Sequence, residues 1–173
     1  MAPPSMLIVR DAREDDVDKL VSFSAAMARE TEGRQLDLDR LRRGTLSLLR
    51  SPQYGFFRVA ELREAEVRTV VGQLMITYEW SDWRDGVFWW IQSVYVDPAW
   101  RRQGVFRRMH ESVLASAKSR PDVCGVRLYV EAKNVVAQEA YRRVGLTPSS
   151  YALFEKEFST IHGRPLEDRP DEA

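Results

Sequence analysis

The stretch of sequence that determines the fold runs from residue 91 to residue 109 and reads IQSVYVDPAWRRQGVFRRM. Up to Val96 it is rich in β-branched and aromatic residues, which is typical of a strand. Asp97 and Pro98 end that strand, and an amphipathic helix begins near Gly104. A strand, a tight turn and a helix in this order predict part of an α/β sheet.

The turn and the helix start carry four arginines, at positions 101, 102, 107 and 108, with no acidic residue among them. The free backbone N–H groups and the dipole of a helix N-terminus favour an anion, and Gly104 lets the backbone approach a ligand closely. We therefore expect a phosphate or diphosphate here. The stretch fits neither a Walker loop nor a dinucleotide fingerprint. The alternative is a solvated basic face on an ordinary helix.

Hydrophobic periodicity on both sides of this stretch predicts the order β-α-α-β-β-β-α-β-α-β. Strands are expected over residues 6–10, 56–62, 67–80, 87–96, 126–131 and 150–158, and helices over 15–29, 37–49, 105–117 and 134–145. Short turns should make the three middle strands antiparallel, and the crossover through the third helix should join parallel strands. The fold class is therefore α/β, with a mixed, mostly antiparallel central sheet and helices on both faces. We expect one domain over residues 6–158 and a polar tail over 159–173.

Composition excludes several classes of protein. The chain has 173 residues, with 26 basic and 26 acidic side chains, and this balance argues against a nucleic-acid partner. It has no apolar run long enough to cross a membrane and no signal-peptide pattern at its start, so a cytoplasmic protein without a membrane partner is expected. Cys124 is the single cysteine and there are two histidines, so neither a disulfide nor a metal site is expected.

Two segments together resemble the GNAT superfamily of N-acetyltransferases, which bind acyl-CoA. The turn at residues 101–106 reads RRQGVF and is similar to the family pattern [Q/R]-x-x-G-x-[G/A]. Phe106 departs from it, because the family has a small residue there. A later segment is similar to the pattern N-x-x-A-x-x-x-Y-x-x-x-G-[F/L] through Asn134, Ala137, Tyr141, Gly145 and Leu146. The two motifs stand in the family's order and spacing, and the resemblance covers residues 6–158.

The resemblance implies acetyl-CoA as cosubstrate. In the family the backbone N–H groups of the turn hold the diphosphate, arginines pair with the phosphates, and the strand before the turn holds the pantetheine arm. Carried over to this sequence, the cofactor-binding residues are Val94, Tyr95, Val96, Arg101, Arg102, Gln103, Gly104, Val105, Phe106, Arg107, Asn134 and Ala137.

The resemblance also implies catalytic roles. Tyr141 aligns with the family's tyrosine that protonates the departing thiolate, although it could also be a core residue of its helix. Gln92 and Trp90 stand where several family members relay the proton of the amine, and Gln92 could hold a water there. The carboxylate candidates for a base are Glu79 and Glu131, followed by Glu30 and Glu32, although taken singly each Glu is more typical of a solvated surface residue.

Four of the five tryptophans lie within residues 80–90. Strand alternation predicts Trp90, Gln92 and Val94 on one face of the sheet. We expect Trp90, Trp80 and Trp83 to bind substrate, as an aromatic mouth made acidic by Glu79, Asp82 and Asp85, which suits a cationic amine. The alternative is that these rings fill the core or form a homodimer interface.

The expected function is therefore an N-acetyltransferase that moves the acetyl group of acetyl-CoA to a primary amine of a small molecule or a protein. The alternative is a catalytically silent acyl-CoA-binding regulatory module, since no residue is an obvious base. A nucleic-acid-binding module would rest on the arginines alone, against the zero net charge.

Overall fold

The computed structural model describes residues 6–64, 66–156, 158, 160–161 and 164–165. The strands are β1 (Met6–Asp11), β2 (Gly55–Glu64), β3 (Val67–Ser81), β4 (Gly86–Val96), β5 (Val123–Leu128), β6 (Thr160–Ile161) and β7 (Arg164–Pro165). The helices are α1 (Val17–Glu32), α2 (Leu38–Arg50), α3 (Val105–Lys118) and α4 (Val135–Arg143).

The first five strands form one sheet in the order β1-β2-β3-β4-β5. Neighbours are antiparallel except for β4 and β5, which are parallel. This arrangement confirms the predicted mixed, mostly antiparallel sheet. It also confirms that the crossover through α3 joins parallel strands. The fifth strand begins at Val123 and ends at Leu128, earlier at both ends than its apolar pattern predicted.

Helices cover the sheet on both faces. On the face that we call the α1 face, Leu20 of α1 packs against Phe57 and Val59 of β2. On the opposite face, the α3 face, a larger core joins the buried side of α3 to apolar residues of β2, β3 and β4. The i, i+4 series on α3 is buried as its spacing predicted: Val105, Met109, Val113 and Ala117.

The predicted strand over residues 150–158 is wrong for residues 150–156 and 158, which the structure describes outside any strand. Tyr151, Leu153 and Phe154 are exposed. Alternating apolar residues form a strand only where a neighbouring strand offers hydrogen bonds, and no described strand pairs with these residues. Of the predicted tail, β6 and β7 pair with each other, and most of its other residues lie outside the described ranges.

The alternation of β4 is interrupted by a β-bulge. Met75 of β3 faces Ser93, whereas the next residue, Ile76, faces Ile91, so Gln92 has no partner opposite it. An extra residue reverses the alternation of the strand beyond it. Val94 therefore packs into the core of the α3 face with Ile91. The prediction that Val94 shares a face with Trp90 and Gln92 is wrong for this reason.

Candidate active site

The site begins where β4 and β5 part. Their pairing ends at Ile91 and Leu128, and β4 continues to Val96 with no described strand beside it on that side. The gap opens into a cleft of about 940 Å³ between the end of β4, the start of α3 and α4, with part of α1 as a further wall. The structure places all the predicted cofactor residues except Gln103 on the cleft wall, together with Tyr141.

The turn before α3 presents unused hydrogen-bond donors. Arg102 and Gly104 both adopt left-handed backbone conformations, with φ of 63° and 79°. Within the described residues, the backbone N–H groups of residues 103–107 have no hydrogen-bond acceptor. Nothing lies within 4 Å of a Cβ built on Gly104, so the space in front of the turn is open. Successive unpaired N–H groups at a helix start form an anion-binding concavity.

The four arginines of the turn divide into two kinds. Arg102 and Arg107 are exposed and have no ion pair within the part of the chain that is described. Arg108 donates to the carbonyl of Leu7 at 3.1 Å. Arg101 donates through Nε to the Val96 carbonyl at 2.9 Å, and its guanidinium lies over the Tyr95 ring. Two of the four charges are thus free to meet a phosphate.

Glu30 of α1 is hydrogen-bonded across the cleft to residues at and just after the end of β4. Its carboxylate accepts a hydrogen bond from the Tyr95 hydroxyl at 2.7 Å and another from Arg101 at 2.6 Å. These hydrogen bonds, that from Tyr95 first, lower the pKa of Glu30 below its ordinary value. The carboxylate is therefore ionised and already paired, and it links α1 to β4.

Tyr141 lies between the cleft and the aromatic side of α3. Its ring meets Phe106 edge-on, with centroids 5.6 Å apart, and Phe106 also packs on His110 at 5.8 Å. Burial raises the pKa of Tyr141 above its ordinary value, so the phenol keeps its proton at neutral pH. Asn134 caps α4 as its motif position suggested, because its Oδ1 accepts from the Ala137 N–H at 3.0 Å.

Two chains of polar contacts cross the sheet on the α1 face beside the strand split. In the first, Tyr129 donates to Gln92 Oε1 and Gln92 Nε2 donates to Thr77 Oγ1, both at 2.7 Å. The bulge at Gln92 directs this side chain toward Thr77. Tyr129 follows β5 directly, and no local pattern marks it because its partner Gln92 is distant in the chain.

The second chain of contacts joins Glu79, Trp90 and Arg127. The indole N–H of Trp90 donates to one oxygen of Glu79, and Arg127 Nη1 donates to the other at 2.9 Å. The Arg127 guanidinium lies 3.6 Å above the Phe88 ring. The ring of Trp90 lies 5.2 Å from that of Tyr129, which connects the two chains of contacts. Sequence reasoning identified Glu79 and Trp90 but missed Arg127.

The other residues predicted to bind the acceptor lie apart from these two chains of contacts. Trp80 pairs with Val87, whose side chain packs into the core of the α3 face, so Trp80 is on the opposite face from Trp90. Trp83 lies in the 3-10 turn of the β3–β4 hairpin and is 85% exposed. Of the remaining carboxylate candidates, Glu32 lies 3.7 Å from Arg34, whereas Glu131 is exposed and has no side-chain partner among the described residues.

Two further properties concern only the described part of the chain. It contains no helix that is both long and apolar enough to cross a bilayer. It also contains no group of three or more His, Cys, Asp or Glu side chains arranged to hold a metal ion.

Comparison with solved structures gives matches over most of the chain. A possible acetyltransferase from Clostridium difficile 630 is 39% identical, with a TM-score of 0.80, and the match covers 91% of this chain and 99% of that one. The aminoglycoside N-acetyltransferase AAC(6')-Iy in complex with CoA is 11% identical, with a TM-score of 0.72 and coverage of 91% and 98%. An aminoglycoside acetyltransferase from an uncultured soil metagenomic sample, in complex with sisomicin, is 16% identical, with a TM-score of 0.67 and coverage of 88% and 95%.

Comparison with curated proteins gives no match. The sequence model of the acetyltransferase (GNAT) family matches residues 15–146, which span the chain from the start of α1 to the end of the second motif. The turn before α3, the parted strands and this match agree, and the chain belongs to the acetyltransferase (GNAT) family.

Proposed function

We propose that the protein transfers the acetyl group of acetyl-CoA to a primary amine by direct attack of the amine. The observation that carries this proposal is the strand split, with its unpaired backbone donors at the start of α3 and its open cleft. CoA is bound in the solved structure of AAC(6')-Iy, whose fold this chain shares, which supports the same cosubstrate here.

The cleft fits CoA along its length. The N–H groups of residues 103–107 and the free side chains of Arg102 and Arg107 would hold the diphosphate. The last residues of β4, from Ser93 to Val96, have no neighbouring strand on the β5 side and would pair with the amide groups of pantetheine. Arg101 donates to the Val96 carbonyl, so this hydrogen bond would have to break before the carbonyl could accept one from pantetheine.

The reaction balances without any further reactant. The amine nitrogen forms a bond to the acetyl carbon, the carbon–sulfur bond breaks, and its electron pair leaves with sulfur as the thiolate. The phenol of Tyr141, which burial keeps protonated, gives the thiolate its proton. The proton lost by nitrogen leaves through water and restores the phenol, so the products are an N-acetyl amine and CoA.

The proton on the incoming amine needs an acceptor, because ordinary alkylamines are mostly protonated at neutral pH. Glu79, Glu30 and Glu32 are already ion-paired. Glu131 follows Tyr129 by two residues and has no side-chain partner among the described residues. We assign the base role to Glu131 acting through water, with Gln92 positioning Tyr129 and Glu79 positioning Trp90 and Arg127.

The test measures free thiol released from acetyl-CoA with a panel of amines and peptides, and identifies the acetylated product by mass spectrometry. We expect release only with an acceptor. A Gly104→Glu variant should neither bind acetyl-CoA nor turn over, because it places a carboxylate at the diphosphate site. Gly33→Glu is the matched control, since Gly33 also has a positive φ, of 66°, and open space around it. Tight binding of acetyl-CoA without thiol release across the whole panel would favour the silent binding module.

A further inference from the structure

Glu79, Trp90 and Arg127 form a wall on the α1 face beside the strand split. One of its two charged groups has every polar atom in a hydrogen bond, and the other does not. Both oxygens of Glu79 accept a hydrogen bond, one from Trp90 and one from Arg127. Arg127 uses only Nη1, and its other N–H groups have no acceptor within the described residues. A guanidinium has five donors in a fixed fork that matches a carboxylate. This wall therefore has spare capacity for an anion.

Arg127 is both held in place and accessible. The Phe88 ring lies 3.6 Å beneath its guanidinium, and the ion pair with Glu79 fixes it from the side. Its side chain is nevertheless 33% exposed to solvent. A fixed cation that retains unused donors loses little conformational entropy when it binds a second carboxylate.

The position of Arg127 relates it to the reaction. It precedes Tyr129 by two residues on the same side of β5, a distance of about 7 Å along a strand. Tyr129 is hydrogen-bonded to Gln92 at the point where β4 and β5 part. A carboxylate held by Arg127 would therefore lie a few ångströms from an amine at the strand split, which is the scale of an amino acid.

We propose that the acceptor is a primary amine that carries a carboxylate, such as an amino acid, and that Arg127 is the residue that binds this carboxylate. The inference rests on the proposed acetyl transfer and specifies its acceptor. It replaces the acidic mouth for a cationic amine expected from Glu79, Asp82 and Asp85, because Glu79 is neutralised by Arg127 and the two aspartates lie at the distal hairpin turn. Of the candidate carboxylates, Glu131 is the one without a side-chain partner among the described residues, and in this proposal it would accept the proton of the acceptor's amine.

The test compares molecules that differ only in the carboxylate: phenylalanine, its amide, and phenethylamine, with the same series repeated for lysine. We expect wild-type kcat/KM to be at least tenfold higher for the acids. Arg127→Gln should raise KM for the acids by about 10- to 100-fold, leave KM for acetyl-CoA unchanged, and abolish the preference. Arg127→Lys should fall between the two, because it keeps the charge and loses the fork. Arg68→Gln, at an exposed position on β3, is the control.

A Glu79→Gln variant should change KM in opposite directions under the two hypotheses, binding of a carboxylate by Arg127 and binding of an ammonium group by Glu79. If Arg127 binds a carboxylate, Glu79→Gln lowers KM for the acids, because it removes the negative charge that competes for Arg127 while its amide oxygen can still accept from Nη1 and hold the guanidinium. If Glu79 binds the ammonium group, the same change raises KM for every amine. A higher KM with Glu79→Gln, or equal kcat/KM for acids and amides, would overturn the inference while leaving acetyl transfer intact.

Equilibrium binding separates failure of this inference from failure of the proposed function. Titration of the same acids and amides into the protein saturated with CoA needs no turnover. Acid binding that weakens in Arg127→Gln supports the role of Arg127 even if no thiol is released, whereas acids that bind no better than amides overturn it. Circular dichroism on each variant establishes that the loss comes from the contact and not from unfolding.

Discussion

Phe106 of α3 and Tyr141 of α4 meet edge to face, with their ring planes at 68° and their centroids 5.6 Å apart. The pair joins the helix at the proposed anion site to the helix that carries the proposed acid. A glycine or alanine at position 106, as in the family pattern, would leave this side of Tyr141 open. The aromatic side chain instead contributes to the burial that raises the pKa of Tyr141.

The first prediction concerns the hydroxyl of Tyr141. Tyr141→Phe keeps the ring and its packing, so the affinity for acetyl-CoA measured by calorimetry should stay within a factor of about two. If the phenol protonates the thiolate, kcat should fall by about 10²-fold or more. Wild-type turnover in this variant would show that Tyr141 only packs.

Phe106→Ala should move the alkaline limb of the kcat–pH profile. Removing the ring lets water reach Tyr141, so its pKa should fall toward its ordinary value near 10. Since the protonated phenol is the active form, activity should then be lost at a lower pH than in the wild-type protein. The measurement is a pH series with Tyr141→Phe as the control, in which this limb should be absent. A limb that stays in place in Phe106→Ala would show that another group titrates.

The element order up to α4 and the residues that line the cleft were predictable, because their signals are local. Asn134 caps its helix, Gly104 occupies a left-handed position, and apolar spacing marks α3, all within a few residues. The strand predicted over residues 150–158 failed for the opposite reason. Its alternation is local, but a strand also needs a neighbour, and no strand pairs with the described residues there.

The acceptor half depends on register, which a period of two does not reveal. Nothing in the sequence marks Gln92 as a bulged residue, so the side on which Val94 lies was predicted wrongly. The contacts of Glu79 with Arg127 and of Gln92 with Tyr129 join residues 48 and 37 positions apart. They follow only once the registers of β3, β4 and β5 are known, and β5 lies three residues earlier in the chain than predicted.

Loss of a free arginine from the turn should lower the affinity for acetyl-CoA and make that affinity less dependent on salt concentration. Arg102→Ala and Arg107→Ala each remove a charge with no protein partner among the described residues, so each should raise Kd about tenfold at low ionic strength. Arg108→Ala is the matched control, because Arg108 is bound to the Leu7 carbonyl and should matter little. Calorimetric titrations at two salt concentrations measure both effects, and equal losses in all three variants would indicate only a general charge effect.

Replacing the unpaired carboxylate tests the path of the amine proton. Glu131→Gln should lower kcat/KM by about 10²-fold for alkylamine acceptors, which must lose a proton before attack. The loss should shrink with acceptors of low amine pKa, because these are already neutral at the pH of the assay. Glu32→Gln serves as the control, since Glu32 is paired with Arg34. A uniform loss across acceptors of different pKa would argue against a role for Glu131 as base.

The acid stability of the fold should depend on a buried ion network at the base of α1. Arg10 donates to both oxygens of Asp16, at 2.7 and 2.9 Å, and to Glu61 at 2.7 Å, while Arg63 donates to the other oxygen of Glu61 at 2.8 Å. Burial alone would raise the pKa of Asp16 and of Glu61. The hydrogen bonds from the arginines outweigh it, so both pKa values lie below their ordinary range.

Because these folded-state pKa values are depressed, the stabilisation is complete above the pKa of the unfolded carboxyls, near 4, and is lost as pH falls through the folded values. Urea unfolding at a series of pH values should show a free energy of unfolding that is flat near neutrality and falls below about pH 4. Glu61→Gln should cost about 3 kcal/mol at pH 7, as expected for a broken buried pair, and should flatten the decline. Glu14→Gln, which removes an exposed pair with Arg50, should leave both the free energy at pH 7 and the decline nearly unchanged. A decline of wild-type steepness in Glu61→Gln would assign the acid sensitivity to other carboxylates.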